Sequence, residues 1–336
     1  MLGSVRIVWG LILSLMIAAV TVWAALALWY RLPVQQSIRG LAAGLFILLG
    51  VATIGAIFTR RRRLAFGFLA AFAAILVWWN TIEPKNEGDW APSVARQVTG
   101  KLDGDTLSLT NVRDFDWRSD SDFTERWTSR TFDLSKIQTV DLFMSYWAGP
   151  EMAHTILSFG FEGGDYIAWS IEVRHVKGGE FSAIADLFKS DPLVIIAADE
   201  RDVVRVRTNI RHEDVELYRL KASPQKARAL LLEYVANANG LVDTPRFYNS
   251  LTTNCTTAIV KMMRVVGDSV PFDWRLIVNG YLPDYAYARG ALDTRTPLAE
   301  LKTLAHIDKR AELADNSPEF SKLIRVGVPS WEAPAP

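Results

Sequence analysis

The sequence predicts an α+β protein in which three membrane-crossing helices precede an antiparallel sheet packed on helices. Three observations carry this. The first 82 or so of 336 positions contain three long uncharged apolar runs. The remainder holds short apolar or alternating runs separated by hairpin signals, then stretches of helical period. The only cysteine, Cys255, stands at the head of one of those helical stretches. The predicted division is an anchor over 1–82, a linker over 83–100, a soluble domain over 101–330 and a disordered tail over 331–336.

Ile7–Tyr30, Gly40–Thr59 and Leu64–Ile82 are runs of about 24, 20 and 19 residues, each long enough to span a bilayer. The first is long and has a weak cleavage signal, which favours a retained helix over a signal peptide. Short loops rich in Arg stay on the cytoplasmic side, so the Arg60–Arg63 tetrad sets the inside face. The N-terminus is then inside, and the Arg31–Arg39 loop and everything after Glu83 lie outside. No charge sits mid-span, so the helices read as an anchor rather than a transport path. The chain has 37 basic and 37 acidic residues, and this balance gives no argument for nucleic acid as a partner.

Glu83–Gly100 is rich in Pro, Gly and charge and reads as a juxtamembrane linker. Lys101–Val112 reads as a hairpin turning at Asp103-Gly104. In Asn111–Ile137 aromatics interleave with Arg and Asp. The acidic residues cancel a nucleic-acid field and lack calcium-loop spacing, so this stretch reads as charged loops over packed aromatics. Val140–Tyr146, Ala153–Phe161, Tyr166–Arg174, Leu193–Ala198, Val203–Thr208 and Val215–Leu220 read as strands. Phe181–Lys189 reads as a short amphipathic helix. Gln225–Asn239 reads as a helix opened by Ser223-Pro224, and Asp273–Gly280 and Glu300–His306 also look helical.

The stretch Tyr248–Gly267 carries the chemistry. Ala258, Ile259, Met262, Met263 and Val266 repeat with helical spacing, Thr253 or Asn254 suits the N-cap, and Gly267 suits the stop. Cys255 then lies at a helix N-terminus, where unpaired N–H groups and the helix dipole favour a thiolate. The competing reading is a small buried core residue without chemistry.

A cysteine nucleophile needs a base within hydrogen-bond reach. Of four histidines, His175 ends a strand, His212 sits in a polar turn and His306 lies on a helical pattern; His154 alone is flanked by strand residues. A base usually has an orienting third group. The turn at Glu162-Gly-Gly-Asp165 allows two registers. An even loop places His154 opposite Val173; a three-residue loop centred on Gly163 places it opposite Glu172, with Ser170 on the same face.

Six segments in order, Asn86–Ala95, Phe115–Phe123, Ala153–Phe161, Ser170–Arg174, Ala198–Asp202 and Phe247–Thr257, resemble the Lnb-type periplasmic domain of bacterial membrane-anchored proteins. The family is named for a lipoprotein N-acyltransferase. It is similar in turn to permuted papain-like thiol enzymes of the NlpC and lecithin:retinol acyltransferase kinds, in which the histidine strand precedes the cysteine helix. The resemblance implies a permuted papain-like fold, Cys255 as nucleophile, His154 as base and a polar residue of the next strand, Glu172, as orienter. It implies a multi-pass protein of the bacterial inner membrane with its C-terminal domain in the periplasm.

The expected activity is a cysteine-dependent acyltransferase or hydrolase acting on an ester or amide. The Cys255 N–H, with Asn254 or a nearby amide, is expected to hold the oxyanion, with Ser170 in support. No metal or organic cofactor is required. Membrane lipids are the expected partners, with lipoproteins or cell-wall peptides within reach, and nothing in the sequence specifies an oligomeric state. The rival reading is an inactive papain-like module that binds or scaffolds other envelope components.

Overall fold

The computed structural model describes residues 2–59, 62–179 and 181–331. Arg60 and Arg61 of the basic tetrad, and the tail from Glu332 onward, lie outside the described residues. The chain forms two compact units: 1–85 with 182–191, and 86–181 with 192–336.

The first unit contains α1 (Leu2–Arg31), α2 (Gln36–Thr59) and α3 (Arg62–Asn80). All three are long and apolar enough to cross a membrane. Small residues let the first two helices approach closely: a Cβ added at Gly50 would lie 2.2 Å from Thr21 Oγ1. Ala24, Leu28, Phe46 and Phe68 form their shared core. Residues 182–191, which follow the strands of the second unit in sequence, belong here. Phe188 stacks on Tyr30 and meets Trp79 edge-on. Lys189 Nζ donates to Trp79 O at 2.8 Å, and Arg31 donates to Ser190 O at 3.1 Å.

The second unit is built on a mixed eight-stranded sheet. In chain order its strands are β1 (Thr99–Asp103), β2 (Thr106–Arg113), β3 (Asp116–Trp117), β4 (Phe123–Thr124), β5 (Trp127–Asp133), β6 (Ile137–Tyr146), β7 (Ala153–Phe161), β8 (Tyr166–Val173), β9 (Leu193–Ala198) and β10 (Asp214–Leu220). The order in space is β1-β2-β9-β8-β7-β6-β10, β5 also pairs with β2, and β3 and β4 form a separate hairpin. The expectation of a wholly antiparallel sheet is corrected at one place. β2 meets β9 in parallel through Arg113↔Ala198, where the Arg113 carbonyl also accepts the N–H of Asp199.

The short helices are α4 (Ala183–Asp186), within the first unit, and α5 (Glu200–Val203). They are followed by α6 (Pro224–Asp243), α7 (Cys255–Val265), α8 (Leu282–Ala288), α9 (Leu298–Ala305), α10 (Asp308–Ala314) and α11 (Phe320–Leu323). Helices cover both faces of the sheet. Leu157, Phe159, Trp169 and Ile195 pack with Leu231, Tyr234 and Ile259 of α6 and α7. On the other face Ile156, Val194, Ile196 and Leu217 pack with Val203, Ile307, Ala311 and Phe320. Every residue of β7 is buried, including the polar His154, Thr155 and Ser158.

Four local expectations change. Val203–Thr208 is not a strand. Asp199 caps a helix there by accepting the Arg201 N–H at 2.9 Å, and the chain continues into a π-helical turn, Val206–Ile210. Its Val-Arg alternation reflects buried ion-paired arginines rather than a pleat. Asn111–Ile137 is not all loop: Trp127–Asp133 is β5, and Phe115, Trp117 and Val206 form a small core with Phe123 and Trp127. Glu83–Gly100 is not a free tether, since Val94 and Val98 are buried and Trp90 bridges to Val176. Asp273–Gly280 forms two short 3-10 turns, Trp274–Leu276 and Asn279–Tyr281, instead of one helix.

Candidate active site

α7 starts where its side chains predict. Asn254 Oδ1 accepts the N–H groups of Thr256 (3.0 Å) and Thr257 (2.8 Å), and Thr257 Oγ1 accepts the Asn254 N–H at 2.9 Å. This reciprocal cap satisfies two orphan donors of the first turn and puts Cys255 at the first helical position. Among the described residues no acceptor pairs with the Cys255 N–H. Asn254 Oδ1 serves the cap, and its Nδ2 donates one hydrogen to Ser250 O at 2.6 Å.

The histidine strand reaches the same place. β7 and β8 pair from Gly160↔Tyr166 to Ile156↔Ser170, a register centred on Gly163 (φ +92°) and therefore the one that aligns His154 with Glu172. The ladder stops at Ile156↔Ser170, although β6–β7 pairing continues to Tyr146↔Ala153 and β8–β9 pairing to Val173↔Leu193. His154 and Glu172 lie beyond that last rung. There the Cys255 thiol comes within electrostatic range of the His154 imidazole and of the Thr155 N–H.

The imidazole is held from behind. His154 Nε2 lies 2.6 Å from Ser170 Oγ and 3.1 Å from Glu172 Oε1. The Ser170 hydroxyl donates to Glu172 Oε1 at 2.6 Å. Ser170 thus spends its proton on the carboxylate and can only accept from the ring. The hydrogen-bond network assigns a hydrogen to Nε2. Ser170 and Glu172 therefore both contact the ring. Arg207 Nη2 lies 3.5 Å from Glu172 Oε1 and Arg207 Nη1 3.0 Å from Glu213 Oε2, with Ser145 donating to the same Glu213 oxygen.

These contacts set the charges. Burial pushes the Cys255 thiol up, but the hydrogen bond and positive charge of His154, with the Thr155 N–H, outweigh it and bring the thiol down to about 7. Burial disfavours the imidazolium, and Arg207 opposes it too, yet the Glu172 carboxylate and the bond to Cys255 raise His154 to about 9. Burial also pushes the Glu172 carboxyl up; His154, Arg207 and Ser170 reverse this and hold it well below the usual carboxylate range. Both shifts favour the charged forms, thiolate and imidazolium.

A buried polar network rivets the helix to the strand. Asn279 Oδ1 accepts the Ala153 N–H at 3.1 Å, and its Nδ2 donates to Ala153 O at 2.6 Å and to Thr256 Oγ1 at 2.8 Å. Thr256 Oγ1 lies 3.0 Å from Thr155 Oγ1. Neither Asn279 nor Arg207 stands out in the sequence, because each lies in a stretch whose local pattern suggests the wrong element. Gly280 is fixed by close approach: a Cβ there would lie 2.0 Å from Pro150 O.

Other charged motifs serve the fold. Asp202 accepts from Arg113 Nε (2.8 Å), Phe115 N (2.9 Å) and Trp117 Nε1 (2.7 Å). Arg325 binds Glu200 at 2.6 Å and Asp141 at 2.8 Å. Asp214, His306 and Asp308 have ligand atoms within 4.8 Å of one another, but the two closest, Asp214 and His306, are exposed and already paired at 2.7 Å.

The fold and site define an α+β domain with a helix-borne cysteine and a strand-borne histidine, carried by a chain with three membrane-length helices. Residues 123–280 match the family model described as the Lnb N-terminal periplasmic domain. The match contains Cys255, His154, Ser170, Glu172, Arg207 and Asn279. No curated protein and no solved structure matches the chain. With its apolar helices, the protein is a membrane-associated envelope protein with a periplasmic domain.

Proposed function

We propose that this protein is a membrane-anchored, cysteine-dependent acyltransferase or hydrolase of the periplasm, acting on an ester or amide of a lipid, lipoprotein or other envelope substrate. The observation that carries the reading is the His154 imidazole, held by Ser170 and Glu172, acting on the charge of the Cys255 thiol at the head of α7. The order of histidine strand and cysteine helix fits a permuted papain-like fold, with the three helices as a multi-pass anchor in the inner membrane.

In the reaction the Cys255 thiolate attacks the carbonyl carbon and forms the C–S bond. The tetrahedral oxyanion lies against the Cys255 N–H. His154 passes a proton to the departing alcohol or amine as the carbonyl–leaving-group bond breaks, giving a thioester. An acceptor amine or water then attacks the thioester, yields its proton to the imidazole, and releases the sulfur as thiolate. Glu172 stays ionised throughout and stabilises the imidazolium. Neither step requires a metal or organic cofactor.

The test is mass spectrometry of purified full-length protein incubated with membrane lipids. The expected result is an acyl increment on the Cys255 peptide, removed by hydroxylamine and absent from Cys255→Ala. If the wild-type peptide stays unmodified while envelope function survives in a Cys255→Ala strain, the enzymatic reading fails.

A further inference from the structure

Between β8 and β9 the chain lends residues 182–191 to the helical unit. The inner side of this segment is engaged. Phe188 is buried against the rings of Tyr30 and Trp79, with centroids 5.7 and 6.4 Å away. Lys189 Nζ lies 4.9 Å from the centre of the Trp79 ring and donates to Trp79 O and Ile82 O. Asp186, the one charged residue of α4, is buried. The outer side is apolar at its centre. Ile184, in the middle of α4, is 56% exposed, and Leu187, three positions on and on the same side, is half-buried. Phe181, the residue before the Ser182 cap, is 53% exposed. We propose that α4 is an additional, monotopic membrane contact: Ile184 dips into the headgroup zone of the bilayer that α1, α2 and α3 cross, at the end where α1 and α3 finish. The proposal stands apart from the chemistry of Cys255.

Three observations select lipid as the occupant. The first is depth. Tyr30 and Trp79 lie in the last turns of α1 and α3, two helices of membrane length. Aromatic rings at the end of a span mark the level of the headgroups, so a turn stacked on both rings is held at that level. The second is continuity. Leu76 and Val77, within a turn of Trp79, and Trp29, beside Tyr30, expose apolar side chains on these same helices. The surface that faces hydrocarbon therefore reaches the rings on which the segment rests. The third is polarity. The Lys189 amine is spent on backbone carbonyls, Arg31 donates to Ser190 O at 3.1 Å, and Ser190 Oγ donates to Asp191 at 2.6 Å, so these charges serve the segment and the helix ends. A turn at headgroup level needs this, because a charge pushed towards hydrocarbon without a partner is costly. A protein partner fits less well. A stable protein interface needs about 1,000 Å² or more, which two or three side chains do not supply, whereas an interfacial turn needs only its apolar side covered.

Cys255→Ser removes the only cysteine, so a nitroxide can be attached at Ile184→Cys alone in full-length protein in lipid nanodiscs. Leu69→Cys, exposed near the middle of α3, provides the reference within the span. Power-saturation EPR with oxygen and a water-soluble nickel chelate reads the depth of each label. The label at 184 is expected to favour oxygen and to lie about 5–10 Å below the phosphates, shallower than the label at 69. A separate variant, with p-benzoylphenylalanine replacing Ile184 and Cys255 intact, should crosslink to lipid on irradiation. A label at 184 as open to nickel as free nitroxide in buffer overturns the proposal. So does a label shielded from both reagents, or a crosslink to a second copy, since either puts protein over this side of α4. The crosslink needs no nitroxide and no change at the cysteine, so a local effect of either substitution does not decide the outcome.

Discussion

At the scale of one residue, His154 is the group that most lowers the Cys255 thiol against burial. The sign is explicit. The thiol is depressed to about 7, so thiolate accumulates as pH rises through about 7, and the imidazolium, raised to about 9, is lost as pH rises through about 9. Alkylation of Cys255 by iodoacetamide should therefore have its midpoint near 7. In His154→Ala the midpoint should move to or above the free-thiol value of about 8.5, because burial then acts unopposed. Acyl transfer, which needs both ions, should fall by about 10²–10⁴-fold. An unchanged alkylation midpoint in His154→Ala would show that the imidazole does not control the sulfur. Cys255 and His154 were legible in the sequence because they are chemically scarce and sit at recognisable places, a helix head and a strand. Glu172 was legible only as one of two registers, and the turn centred on Gly163 selects it. Arg207 was hidden, since two arginines alternating with valines look like the wet side of a strand when nothing reveals the helix cap at Asp199.

The elements α7 and β7 are held in register by Asn279, a side chain from neither. Asn279→Ala removes the partner of the Ala153 N–H and C=O and one partner of Thr256 Oγ1. Orphaned buried groups cost about 1–3 kcal/mol each, so a loss of about 3 kcal/mol or more is expected in denaturant melts. The alkylation midpoint of Cys255 should rise with it, since the helix is no longer pinned to the histidine strand. Lost stability with an unmoved midpoint would make Asn279 structural only. The elements themselves were largely readable. Capping residues mark α6 and α7, and hairpin glycines mark the β1–β2 and β7–β8 turns, because glycine alone takes the positive φ of these turns without strain. The parallel contact of β2 with β9 was not readable, because one residue pair leaves no periodic trace.

For the whole molecule, the sign of the loops around the helices specifies which side the domain faces. Reporter fusions that are active only outside the cytoplasm should work after Pro33 and after Ser330 and fail after Arg61. The reverse pattern would place the cysteine site in the cytoplasm and remove the envelope substrates. The two-unit division departs from a simple cut after the third helix, because residues 182–191 interrupt the sheet sequence yet rest on Tyr30, Trp79 and Ile82. The amphipathic pattern over Phe181–Lys189 marks a short helix, of which Ala183–Asp186 forms, but does not say which unit it joins. This placement bears on how the protein is handled at the bench. Trimming the polypeptide to begin near Asn86, the obvious route to crystals, would strip Phe188 and Lys189 of their partners and hand the truncated domain a sticky loop that it never shows when whole.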